Sequence, residues 1–238
     1  MTHRPIVVVL TAFALVGAGI GSYVLARTTP VFALEKIEVD GAPPSIAAEV
    51  RASLAAYNGT SLVAFDSGRA ARQLSTVAEV ADARFDRAFP HTLKVRVRLE
   101  RPVAVLRQGS DAWLVSASAR VLRQLERPYP PLPRIWVPRS ADVTVNSTLG
   151  GLGAKGIAAV APLKQLHVGV DVRQVLTGDG ALTLVLASGT QLRLGDSGDL
   201  KLKLSIAKQL IPITAGAAYV DISVPERPVA GYNSQVGG

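Results

Sequence analysis

The stretch Gly151-Leu-Gly153-Ala-Lys-Gly156 has the spacing G-x-G-x-x-G, and Asp171 follows near the offset of a ribose-binding acid. On a tight turn between a buried parallel strand and a helix, such glycines let the backbone approach a pyrophosphate. Here the preceding residues, 141–150, read Ala-Asp-Val-Thr-Val-Asn-Ser-Thr-Leu-Gly. They are too polar for a strand covered on both faces. Hairpin signals, rather than further βαβ units, come after it. A glycine-rich connection ahead of a helix is the plainer reading, and a nucleotide-binding enzyme using Gly151–Gly156 stays as a lesser alternative. Other reagents are scarce. The chain has no Cys and three His, His3, His91 and His167. Thiolate nucleophiles, disulfides, Cys-ligated zinc and iron–sulfur clusters are therefore excluded. There is no G-x-S-x-G elbow, and no pair of carboxylates stands out. We expect no catalytic residues, no cofactor, no metal and no small-molecule substrate.

Charge offers the next chemistry. Twenty-six Lys+Arg against eighteen Asp+Glu give a net charge of +8, which favours acidic partners. The strongest charge feature is in His91–Leu99, with Arg84, Arg87 and Arg101 nearby. Leu93, Val95, Val97 and Leu99 alternate there with Lys94, Arg96 and Arg98. Period two places the apolar residues on one face of a strand and the three cations on the other. That face is a solvated surface or an electrostatic dock for lipid or an acidic partner. Nucleic acid is not expected: five Phe, five Tyr and two Trp are needed for cores rather than stacking platforms.

The elements that carry these residues fall into three stretches. Ile6–Ala26 is uncharged for 21 residues, roughly 31 Å of helix, matching a hydrocarbon core of about 30 Å. Tyr23 suits an interfacial anchor, and Gly17-x-x-x-Gly21 is a helix-pairing signature within the membrane. Val24-Leu25-Ala26 offers the competing reading, a cleaved signal peptide and an exported binding protein using its basic face on anionic wall polymer.

Residues 31–100 then read as a small α+β module in the order β-α-α-β-β. A strand containing Leu34, Ile37 and Val39 ends at Asp40-Gly41. A helix capped by Ser45 carries Ile46, Val50 and Leu54 and stops at Asn58-Gly59. A second helix capped by Asp66 carries Ala70, Leu74 and Val77. Strands at 80–89 and 91–99 turn at Phe89-Pro90. From 101 to 232 the texture is mostly antiparallel β with two helices, near Lys155–Gln165 and Asp199–Leu210. In the latter, Leu202, Ile206 and Leu210 share a face. Residues 181–194 read as a hairpin, and Trp113 and Arg134–Pro138 as core and strand. Pro225 and Pro228 confine the last strand, Val229-Ala-Gly-Tyr232, to a sheet edge, open to an incoming strand. Residues 233–238 read as a disordered tail.

Taken together, Leu34–Gly41, Val80–Pro102, Pro102-Val-Ala104 leading to Trp113-Leu-Val115, Leu192-Arg-Leu-Gly195 and Ala218–Pro225 resemble the bacterial FtsQ/DivIB family over essentially the whole chain. The resemblance implies a cytoplasmic tail (1–5), a transmembrane helix (6–26), a POTRA domain (31–100) and an extracytoplasmic β domain (101–232). It also implies a non-enzymatic divisome scaffold in the cytoplasmic membrane and at the division septum. The FtsB–FtsL pair would add to the last strand, and a POTRA face would serve recruitment. Val229, Ala230, Gly231 and Tyr232 match the partner-binding strand, and Tyr219, Asp221 and Ser223 its neighbour. Ser116-Ala-Ser-Ala-Arg120 departs from the Asp and Gly turn common after the Trp strand.

Overall fold

A computed structural model describes residues 13–21, 23, 25, 27, 30–163, 165–178 and 180–232. The tails 1–5 and 233–238 lie outside the described residues, as does much of the span 6–26. Residues 13–21 are helical and exposed, with open space around Gly17 and Gly21. No helix among the described residues is long and apolar enough to cross a membrane. The chain divides into two units, Met1–Leu99 and Glu100–Gly238.

The first unit is a three-stranded sheet with two helices. β1 (Lys36–Asp40) lies parallel to β3 (Thr92–Leu99), and β2 (Val80–Ala88) pairs antiparallel with β3, giving the order β1-β3-β2. α1 (Pro44–Leu54) and α2 (Ser67–Leu74) connect β1 to β2. Leu54, Leu62, Leu74, Leu93 and Val95 are almost wholly removed from water at the centre of one cluster. Each such side chain contributes roughly 1.5–3 kcal/mol by burial. Asp66 caps α2 by accepting the Arg69 amide at 3.0 Å. The expected cap at Ser45 is not there: Pro43 holds the cap position, two residues earlier, and Pro44 the first helical position, where a missing amide costs nothing. Helix α2 ends before Val77, which is buried just beyond it.

The second unit holds, among the described residues, a nine-stranded sheet in the order β12-β11-β10-β9-β8-β7-β4-β5-β6. The strands are β4 (Pro102–Gln108), β5 (Asp111–Ser116), β6 (Val121–Gln124), β7 (Arg134–Trp136) and β8 (Val172–Gly178), then β9 (Ala181–Leu186), β10 (Gln191–Gly195), β11 (Tyr219–Asp221) and β12 (Val229–Gly231). Five neighbour pairs are antiparallel; β4–β7, β7–β8 and β10–β11 are parallel. Parallel neighbours need long crossovers. α3 (Gly151–Val160) lies in the crossover between β7 and β8, and α4 (Leu200–Leu210) in that between β10 and β11. The hairpin β9–β10 buries Leu182, Leu184, Leu186, Leu192 and Leu194, as their alternation requires.

Three expectations change here. α3 starts at Gly151, so the glycines belong to the helix rather than to a phosphate loop. A Cβ at Gly156 would stand 2.9 Å from Cγ2 of the fully buried Ile135 on β7, and one at Gly153 would touch Leu149 and Val137. The small residues let helix and sheet approach. Moreover, fourteen residues intervene between the end of β7 at Trp136 and the start of α3, so the tight strand–turn–helix of a dinucleotide site is missing.

In α4 the buried residues are Lys203, Leu204 and Ala207, while Leu202 is 51% exposed. Lys203 buries its stem because its ammonium finds Asp196 Oδ1 at 2.8 Å and the Asp196 carbonyl at 3.2 Å. Finally, Trp113 is core, but Trp136 is 44% exposed and Arg134 is exposed. The turn at Ser116–Arg120 is held by Ser116 Oγ with Ser118 Oγ at 2.8 Å, and Ala119 adopts φ 61°.

Candidate partner-binding edge

The two ends of the large sheet are treated differently. At the β6 end, the segment 146–149 lies alongside: Val121 donates to the Ser147 carbonyl at 2.9 Å, Asn146 to the Val121 carbonyl at 2.7 Å, and Leu149 to the Ala119 carbonyl at 2.8 Å. At the other end stands β12, with no strand on its outer side among the described residues. Edge strands usually carry charges, which blunt association. This one reads Val-Ala-Gly, and Val229 and the adjoining Tyr232 are 54% and 62% exposed.

β12 is positioned from within. It pairs antiparallel with β11 in the register Tyr219↔Gly231, Val220↔Ala230 and Asp221↔Val229. Ala218 donates to the Gly231 carbonyl at 2.7 Å. Val220 is buried, and Ala230 packs against the main core. The chain reverses after β11 through Asp221, whose Oδ1 accepts the Ser223 amide at 2.9 Å and the Ser223 hydroxyl at 2.7 Å. Such an Asx turn stops the strand locally. Ser223 Cβ would be 2.7 Å from a Cβ at Gly195, which sits at the β10 bulge with φ +67°. Only glycine suits both the conformation and the space.

The ring of Tyr219 lies across Gly231. A Cβ there would be 2.5 Å from Cζ and 2.7 Å from the phenol oxygen of Tyr219. On that ring sits the guanidinium of Arg193, 4.1 Å from its centroid. A cation–π stack thus runs from β10 through Tyr219 to the backbone of the edge strand. Tyr219, Asp221, Ser223 and Val229–Tyr232 are brought together as the sequence suggests. Arg193 and Gly195 are additions. Arg193 pairs with Asp221 and reaches Tyr219 diagonally, a relation across a parallel register that sequence spacing does not reveal.

Lys94, Arg96 and Arg98 share a face of the first unit, and Leu93, Val95 and Val97 are buried on the other, as the alternation predicts. That face is not purely basic. Glu38 and Asp40 on β1 stand opposite Lys94 and Arg96, and Asp86 and Asp82 on β2 stand opposite Lys94 and Arg98. Lys36 and Arg84 complete it, so five cations meet four carboxylates. Lys36 sits 2.7 Å from Glu38 and holds its carboxyl below the usual range. Among the described residues, no group of three or more His, Asp or Glu is arranged to hold a metal ion.

Known proteins agree with this architecture. The POTRA domain of FtsQ type matches residues 32–99, and the C-terminal domain of cell division protein FtsQ/DivIB matches residues 104–223. Relatives named cell division protein FtsQ include one from Streptomyces bingchenggensis, 25% identical over 97% of this chain and 87% of its own length. One from Mycobacterium tuberculosis strain H37Rv is 26% identical over 94% of this chain and 69% of its own. One from Mycolicibacterium smegmatis is 34% identical over 32% of this chain. That match spans 23% of the relative's length. With that C-terminal domain matching half of this chain and an FtsQ-type POTRA domain before it, the chain belongs to the FtsQ/DivIB family of cell division proteins.

Proposed function

We propose that the protein is a non-enzymatic divisome scaffold that receives an FtsB–FtsL-type partner by strand addition at β12. The observation that carries this reading is that no strand among the described residues lies on the outer side of β12, where Val229 and Tyr232 are exposed. An incoming strand there gains backbone hydrogen bonds for affinity and apolar contacts at Val229 and Tyr232 for register. The apolar run 6–26 anchors the chain in the cytoplasmic membrane, with the amino terminus in the cytoplasm and both folded units outside. The POTRA face carrying Lys94, Arg96 and Arg98 serves as a secondary contact. Its interleaved carboxylates suit a partner of matching charge pattern better than a uniform polyanion or lipid surface.

The test is capture of the FtsB–FtsL pair by the full chain, by a chain lacking Val229–Tyr232, and by Tyr232→Ala. Both changes are expected to abolish or strongly weaken capture, while hydrogen exchange in the POTRA unit stays as in the parent. A truncated chain that captures the pair with undiminished affinity overturns the assignment. A reporter active only outside the cytoplasm, fused after residue 232, tests the topology.

A further inference from the structure

The second unit contains a cleft of about 620 Å3 lined by Arg107, Arg127, Pro128, Tyr129, Arg134 and Trp136. Strand alternation builds its floor. Leu106 on β4 and Ile135 on β7 enter the core, so Arg107, Arg134 and Trp136 emerge on the opposite face, with Arg107 directly beside Trp136. The proline-rich segment 125–133 supplies Arg127 and Tyr129, and its four prolines restrict its backbone.

Arg107 is the unusual member. It is only 7% exposed, and its guanidinium carbon lies 4.8 Å from the Tyr129 ring centroid and 5.2 Å from that of Trp136. One of its terminal nitrogens donates to the Gly109 carbonyl at 3.1 Å, while Nε has no hydrogen-bond partner. A second cation, Arg127, lies 6.0 Å from the Tyr129 ring. No carboxylate lines the cleft among the described residues. Hydrogen bonding from Arg127, then from Arg107, and the positive field of both arginines hold the Tyr129 phenol below its usual pKa. A buried cation ordinarily has an anion beside it. Here three guanidiniums converge on one space, and their neighbours are aromatic rings and prolines.

We propose that this cleft binds a phosphate group, presented by a soluble phosphorylated ligand or by a lipid headgroup. Planar guanidiniums bind oxyanions through forked hydrogen bonds. A phosphate, with three outer oxygens and up to two charges, matches three guanidiniums better than a carboxylate with two oxygens and one charge. The restricted loop keeps the cleft formed before the ligand arrives, which lowers the ordering cost of binding. The site is separate from β12 and does not depend on strand addition there.

The experiment titrates pyrophosphate into the purified full chain by calorimetry, with Arg127→Ala and Arg134→Ala as variants. Both residues are exposed, so each variant is checked for an unchanged thermal unfolding midpoint. Saturable binding is expected, weakened about tenfold or more by either substitution, with Arg134→Lys intermediate because charge remains and the fork is lost. Competition by dispersed phosphatidic acid then identifies a headgroup as the source, and competition by a sugar phosphate alone identifies a soluble ligand. Absence of saturable binding, equal binding by parent and variants, or preference for tricarballylate or an acidic peptide over pyrophosphate overturns the proposal.

Discussion

Gly231 is held by space rather than by conformation, and Gly231→Ala therefore tests how the edge strand is attached. The new methyl would lie 2.5 Å from Cζ of Tyr219, so the ring must swing off the strand. Its displacement forfeits the contact with Arg193 at 4.1 Å, worth about 0.5–1 kcal/mol at a partly exposed site. Crowding adds roughly 1 kcal/mol, the low end for overpacking because a ring on a single bond is free to move. The expected cost is about 1.5–2 kcal/mol, confined to β12, which is a roughly 10- to 30-fold shift in local opening. Because the effect is local, native-state hydrogen exchange reads it better than global unfolding. The Ala218 amide, which donates to the Gly231 carbonyl at 2.7 Å, should exchange faster by about that factor. In a Tyr219→Ala background the same substitution should cost a few tenths of a kcal/mol at most, leaving a coupling energy of about 1–2 kcal/mol. Acceleration below about twofold, or an equal effect in both backgrounds, would refute the reasoning.

Gly156→Ala should destabilise the second unit by about 1 kcal/mol: overpacking against Ile135 costs roughly 1–3 kcal/mol, and helix propensity returns about 1. Urea unfolding checks it; a gain in stability would mean that α3 does not press on β7. Ala119→Gly should stabilise by up to about 1 kcal/mol, because φ 61° is strained for alanine and relaxed for glycine; an unchanged midpoint at constant slope would show that the turn is unstrained. Asp196 is held below the usual carboxylate range, first by the hydrogen bond from Lys203 and next by the Gly198 amide. A depressed folded-state pKa adds stability above the unfolded value, about 3.9, which is lost as pH falls through the folded value. Asp196→Asn should therefore flatten the loss of stability below about pH 4; an acid limb as steep as the parent's would place its origin elsewhere.

Strand alternation and turn chemistry were legible because they are local. The alternation in His91–Leu99, the hairpin at 181–194, the Asp66 cap and the proline-bounded last strand each depend on residues within a few positions. Sequence reading went astray where the deciding neighbour is distant. Leu202, Ile206 and Leu210 form a plausible apolar stripe, yet α4 turns Lys203 inward because Asp196 is there to receive its ammonium. The glycines of 151–156 have a nucleotide-binding spacing, yet Ile135, twenty-one residues earlier on β7, explains Gly156.

From its residues alone, the chain declares a small α+β module and a mostly β domain with two helices behind an apolar segment, the alternation in His91–Leu99 and in the hairpin at 181–194, and a final strand restricted by Pro225 and Pro228 to an edge. Those properties follow from backbone stereochemistry and from the periods of helix and strand, which operate over short range. Tertiary structure alone decided which strands distant in the chain became neighbours. It thereby placed four carboxylates among the cations of the first sheet, laid Arg193 and Tyr219 over Gly231, and gathered Arg107, Arg127 and Arg134 around one cleft. Cross-strand partners are set by topology and register, which bring distant residues together at side-chain range, and no local pattern encodes that choice.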